Sequence, residues 1–176
     1  FYQYNLIFRE NFIMKIVVLK FGGTSVGNIN KIKKVAKIIG EYKKKKYKVI
    51  VVSSAMSGVT NELVKKSREI SDNFSSSEYD ALVSSGEQVA CSLISGRLIH
   101  NGYKSRSWMA WQVSIHTKGY HKNSRIISIQ KAKLIRYLSE DGIPVITGFQ
   151  GINEHDRITT IGRGGSDASA IMLAKF

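Results

Sequence analysis

Lys20 closes the apolar run Ile16-Val17-Val18-Leu19 and is followed at once by Phe21-Gly22-Gly23-Thr24-Ser25. An ammonium at the end of a buried strand is costly unless an anion neutralises it. Paired glycines behind it let backbone N–H groups approach a polyanion. The pattern points to electrostatic stabilisation of a transferring phosphoryl group; the competing reading is an edge lysine that snorkels to water. Far along the chain, Gly162-Arg163-Gly164-Gly165-Ser166-Asp167 precedes an apolar helical stretch. A helix opening there attracts negative charge. Arg163 stands among glycines, and its planar guanidinium suits bidentate capture of a carboxylate. Asp167 could orient Lys20 or lie near a metal; alternatively Ser166 or Asp167 caps the last helix, and both roles are compatible. Together the two segments describe a site for a phosphoryl group and a small acidic substrate.

Other residues add to this chemistry with less force. Ser53-Ser54-Ala55-Met56-Ser57-Gly58-Val59-Thr60-Asn61 follows a second apolar run and offers hydroxyls for a carboxylate or phosphate. Ordinary turn and N-cap chemistry explains it equally well. Glu87, in Ser84-Ser85-Gly86-Glu87, flanks the apolar face of a helix. A partly buried carboxylate there wants a cation, either Lys20, Arg163 or a substrate ammonium; taken alone, a rim glutamate with its head in solvent is the plainer reading. The spacing fits neither GxxxxGK[ST] nor a GxGxxG after a strand. His100, His116, His121 and His155 share no spacing, and no Cys/His metal pattern occurs.

These residues need elements to hold them. Residues 15–20, 49–52, 103–109 and 144–147 read as strands. Helical spacing runs over 29–42, 60–71, 78–100 and 128–140, and after Gly165. Ser77 and Asp80 resemble capping residues for the 78–100 helix, on which Leu82, Val83, Gly86, Ala90, Leu93, Ile94 and Leu98 share one face. Over 128–140 the apolar positions are Ala132, Ile135 and Leu138. Segment 149–161 reads as an irregular hairpin. Alternating strands and helices imply a parallel sheet covered on both faces, with ligands at the loops leaving the strand C-terminal ends. Those loops carry Lys20-Gly22-Gly23, Ser53-Ser54 and Thr147-Gly148.

The chain has 176 residues, enough for one domain with a real core. Its 27 Lys and Arg against 13 Asp and Glu give a net charge of +14. Such a balance raises nucleic-acid binding, but Lys43-Lys44-Lys45-Lys46 falls between a helix and a strand, where a solvated turn is expected. Cys91 stands alone among apolar neighbours, as a buried structural thiol in a reducing, cytoplasmic setting would. The apolar runs are far short of the ~20 residues that span a bilayer. Residues 1–13 lack signal-peptide features and are expected to lie outside the fold. The chain stops within an apparent helix, which reads as a truncation.

Five blocks, in order, resemble those of the aspartokinases: Val18-Leu19-Lys20-Phe21-Gly22-Gly23-Thr24-Ser25-Val26, Ser54 to Asn61, Ser85-Gly86-Glu87, Gly148-Phe149-Gln150-Gly151 and Gly162 to Asp167. The resemblance covers Met14 to about Ala174, and residues 14–176 are taken as the aspartate-binding part of an amino-acid kinase domain. It implies a three-layer α/β sandwich with a mostly parallel central sheet, ending before the nucleotide-binding lobe. It implies phosphorylation of the L-aspartate side-chain carboxylate by ATP with Mg2+ as co-substrate, the first step toward lysine, threonine and methionine, with no tightly bound cofactor. By the same resemblance Lys20, Gly22, Gly23 and Thr24 face the phosphates. Ser54, Thr60, Glu87, Arg163 and Ser166 contact aspartate, and Asp167 holds Lys20. Homo-oligomers are expected of full-length members. Without the remaining lobe, the 176-residue chain is expected to show little or no kinase activity; the alternative is an inactive fragment of a split or decaying gene that at most binds aspartate or a partner.

Overall fold

The computed structural model describes residues 15–162 and 164–175. Arg163 and residues 1–13 therefore lie outside the described residues. Four strands form a fully parallel sheet in the order β1 (Ile16–Phe21), β2 (Lys48–Ser53), β6 (Ile143–Thr147), β3 (Ser105–Trp108). The apolar runs of β2 and β6 are buried throughout or nearly so, as expected where helices cover both faces.

Alternation along β2 divides the core in two. Val49 and Val51 pack with Ile32, Val35 and Ile39 of α1 (Ile29–Lys44) and with Cys91, Ile94 and Leu98 of α4 (Ser85–His100). Ile50 and Val52 turn the other way, toward Leu134 and Leu138 of α5 (Ala132–Ser139) and Leu173 of α6 (Gly165–Ala174). The result is the expected three-layer sandwich with a mostly parallel central sheet. Fully burying a side chain such as Ile39 or Ile50 contributes about 1.5–3 kcal/mol.

Local chemistry explains the helix ends. The Asn28 side chain accepts from Lys31 N at 2.9 Å and starts α1. The lysine run after it is the last turn of α1 and the link to β2. Lys43 and Lys48 hold Asp141 at 2.6 and 3.0 Å, and Lys44 pairs with Glu41 at 2.9 Å.

Five expectations change. The 78–100 helix is two helices, α3 (Ser76–Val83) and α4, broken at Ser84, whose carbonyl accepts from the buried Gln150 Nε2 at 2.9 Å. Leu93 lies 37% exposed rather than on the buried face. Ser77 and Asp80 do not cap α3, whose N-cap is Ser75. Asp80 is instead fully buried and accepts from His121 Nδ1, Lys122 N and Thr160 Oγ1, tying α3 to the loop 119–124 and β8. The stretch 128–140 begins as strand: β5 (Arg125–Ile129) precedes α5, which buries Leu134 and Leu138 while Ile135 is exposed.

A second sheet is the fifth change. It runs β5, β4 (Ile115–Lys118), β7 (Gln150–Ile152), β8 (Ile158–Thr160). β7 and β8 form the expected hairpin, with a regular antiparallel register. A helix α2 (Val59–Ile70) follows the loop after β2.

Candidate active site

Parallel register aligns the strand ends. Phe21 sits opposite Ser53, and Ser53 opposite Thr147, so the loops after β1, β2 and β6 leave from one edge. A cavity of about 420 Å3 opens there. Lys20 lines it from the end of β1, Gly23 from the loop after it, Ser54 from the second loop, Thr60 from α2, Glu87 from α4, and Ser166 and Asp167 from α6. The first turns of three helices thus meet at one cavity, and their aligned peptide dipoles favour negative charge there.

The Lys20 ammonium lies 2.9 Å from Asp167 Oδ1. Both side chains keep contact with solvent, at 29% and 61% exposure, so the pair is worth about 0–1 kcal/mol to stability. Its consequence is orientation: the ammonium is fixed at the mouth of the cavity. Gly22 passes beside it, and a side-chain carbon there would sit 3.5 Å from Lys20 Nζ. Asp167 does not cap α6 through its side chain; the N-cap is Gly164, in left-handed backbone, with no side-chain bond. Ser166 is similarly occupied, because Ser54 Oγ donates to its Oγ at 2.9 Å and links the second loop to α6. Thr24 is exposed and faces a separate, smaller cavity with Phe21 and Lys31.

Glu87 overturns the rim reading. It is 3% exposed. Its Oε1 accepts from Ala55 N at 3.1 Å, and its buried Oε2 has no hydrogen-bond partner among the described residues. Removal from water pushes the carboxyl up to about 7, against the opposing pull of the Ala55 N–H and its own backbone N–H. The burial depends on Gly86: a Cβ there would meet the Ala55 side chain at 2.8 Å and Val59 at 3.3 Å, so only glycine lets α4 press against the loop after β2. Cys91, one turn further along α4, is fully buried, and desolvation raises its thiol out of reactive range.

Sequence reasoning placed Phe149 in one of the five resembling blocks but gave it no role; it lines the cavity in left-handed backbone with φ 67°. An aromatic in that conformation costs on the order of 1–3 kcal/mol, held here by Ile161 N donating to Phe149 O at 2.8 Å. No sequence pattern marks such a residue. Among the described residues no cluster of three or more His, Cys, Asp or Glu could hold a metal, and no helix is long and apolar enough to cross a membrane.

Comparison with known proteins bears on what this cavity is. The model of the Amino acid kinase family matches residues 15–176. The chain belongs to that family. Among individual amino acid kinases, it is 47% identical over 164 residues to the aspartokinase of Rickettsia conorii, covering 92% of this chain and 41% of that protein. To the aspartokinase of Geobacillus stearothermophilus it is 46% identical over 161 residues, covering 92% and 40%. The chain thus spans about two fifths of the length of these curated relatives. Among solved structures, aspartate kinase from Synechocystis superimposes with a TM-score of 0.76 at 42% identity, over 90% of this chain and 26% of that one. Escherichia coli aspartokinase III, solved with aspartate and ADP, shares the fold with a TM-score of 0.78 at 24% identity, over 91% and 46%.

Proposed function

We propose that this chain supplies the aspartate-binding share of an ATP-dependent aspartate kinase, which converts L-aspartate and ATP into 4-phospho-L-aspartate and ADP. The observation that carries the reading is the pairing, in one cavity, of an oriented ammonium with a buried, unneutralised carboxylate. An amino acid with two carboxylates and one ammonium needs both. The high identity to aspartokinases favours aspartate over other acceptors.

In this reading Glu87 receives the substrate α-ammonium on its free Oε2. The hydroxyls of Thr60 and Ser166 donate to substrate carboxylate oxygens, Ser54 spends its one proton on Ser166 Oγ and so positions that hydroxyl, and Arg163 is assigned to one carboxylate by the family resemblance. The side-chain carboxylate then attacks the γ-phosphorus of ATP in line, the bond to the bridging oxygen breaks, and ADP leaves with that electron pair. Lys20 and the Gly22-Gly23 amides neutralise charge on the transferring phosphoryl, and Asp167 keeps Lys20 aimed. Mg2+ would be held by the nucleotide phosphates and would supply further charge neutralisation there. No covalent enzyme intermediate is needed, because positioning and charge neutralisation carry phosphoryl transfer.

The test is aspartyl hydroxamate formation with ATP and Mg2+ by the chain fused to the nucleotide-binding lobe of a relative. Activity with aspartate, and little or none by the 176-residue chain alone, is expected. Phosphorylation of glutamate or UMP in place of aspartate would refute the assignment.

A further inference from the structure

A second cavity of about 420 Å3 lies between the C-terminal halves of α1 and α4. It is lined by four cations, Lys33, Lys37, Lys44 and Arg97, and by one carboxylate, Glu41. Glu41 is already engaged by Lys44 at 2.9 Å, and that contact holds its carboxyl below the usual range. The C-termini of α1 and α4 each add about half a negative charge, together less than the three remaining cations, Lys33, Lys37 and Arg97. Arg97 Nε is buried with no hydrogen-bond partner among the described residues. A buried guanidinium N–H without an acceptor is costly, and an anion would satisfy it. Asn101 and Tyr103 add further polar groups, and Gly40 leaves room for the phenol: a Cβ there would meet the Tyr103 hydroxyl at 2.7 Å.

We propose that this groove binds a small phosphate-bearing molecule. A tetrahedral phosphoryl group takes donors from several directions, as two helices, a guanidinium and a phenol present them. The volume exceeds that of bare phosphate and falls in the range of small-molecule sites. The cations converge on one cavity between two helices rather than spreading along a face, which favours a compact ligand over a nucleic-acid backbone. The groove is distinct from the candidate active site. Arg97 lies ten residues beyond Glu87 on α4, about 15 Å along the helix axis.

The probe is pyrophosphate, titrated into the 176-residue chain by 1H–15N NMR with the Arg97 Nε–Hε resonance as reporter. A saturable shift of that resonance is expected, and it should persist in Lys20→Gln, which removes competing binding near the first loop. Arg97→Gln and Lys37→Gln should each weaken binding about tenfold or more, the loss of one charge-assisted contact; should either fail to fold, the wild-type shift decides alone. An unmoved Arg97 resonance at millimolar pyrophosphate would overturn the proposal. So would an equal response to citrate, or displacement of pyrophosphate by duplex DNA with a steep salt dependence.

Discussion

Asp167 and Glu87 line the same cavity from two helices, α6 and α4, and differ in their partners. Asp167 is exposed and holds the Lys20 ammonium at 2.9 Å. Glu87 is buried, accepts one backbone N–H, and leaves Oε2 unpartnered. In the proposed function the first carboxylate aims a cation at an incoming anion, and the second keeps a place for an incoming cation, at a cost in desolvation. Two identical functional groups thus sit in opposite environments: the loop after β2 closes over Glu87 through Gly86, whereas Asp167 stays exposed although the same loop reaches its neighbour Ser166.

Breaking the first end should have the largest effect. Lys20→Met, in the chain completed with a nucleotide-binding lobe, should lower kcat about 100- to 1,000-fold, as loss of one preorganised charge donor does elsewhere; hydroxamate assays at saturating aspartate check it. Breaking the second end should act on affinity. Glu87→Gln should raise KM for aspartate about 10- to 100-fold with a smaller change in kcat, since it removes one charged contact to a non-reacting group.

The same carboxylate predicts a pH dependence of the ligand-free fold. Because burial raises Glu87 to about 7, the folded chain holds that proton more tightly than the unfolded chain does. Its contribution to stability is complete below pH 4.5 and is lost as pH rises to 7, by on the order of 3 kcal/mol at most. Urea unfolding of wild type and Glu87→Gln across that range should show the decline in the first and its absence in the second. The smallest effect is expected where the two ends are joined. Ser54→Ala removes the hydroxyl bond to Ser166 and should cost a few-fold in activity, about 1 kcal/mol.

The two sheets differ in how far sequence revealed them. The parallel sheet was legible because β2 and β6 are short, continuous apolar runs that only a doubly covered strand tolerates. Of the second sheet only the β7–β8 hairpin was. β4 is Ile-His-Thr-Lys and β7 has three residues, too short for any period to register. The break at Ser84 was hidden because its cause, the Gln150 side chain, is remote in sequence. Within the site, Lys20 and the Gly22-Gly23 pair announced themselves by position. Glu87 looked like a rim residue because helical periodicity describes one helix face and says nothing of a loop that packs on it through Gly86.

The central claim, that Glu87 waits for the substrate ammonium, is tested most directly by calorimetric titration of L-aspartate at pH 7 in two buffers of different ionisation heat. An ammonium seated on Oε2 would drive the half-protonated carboxyl to its charged form, so binding should release about half a proton, and Glu87→Gln should release none. Binding without proton release, or release unchanged in Glu87→Gln, would contradict the account.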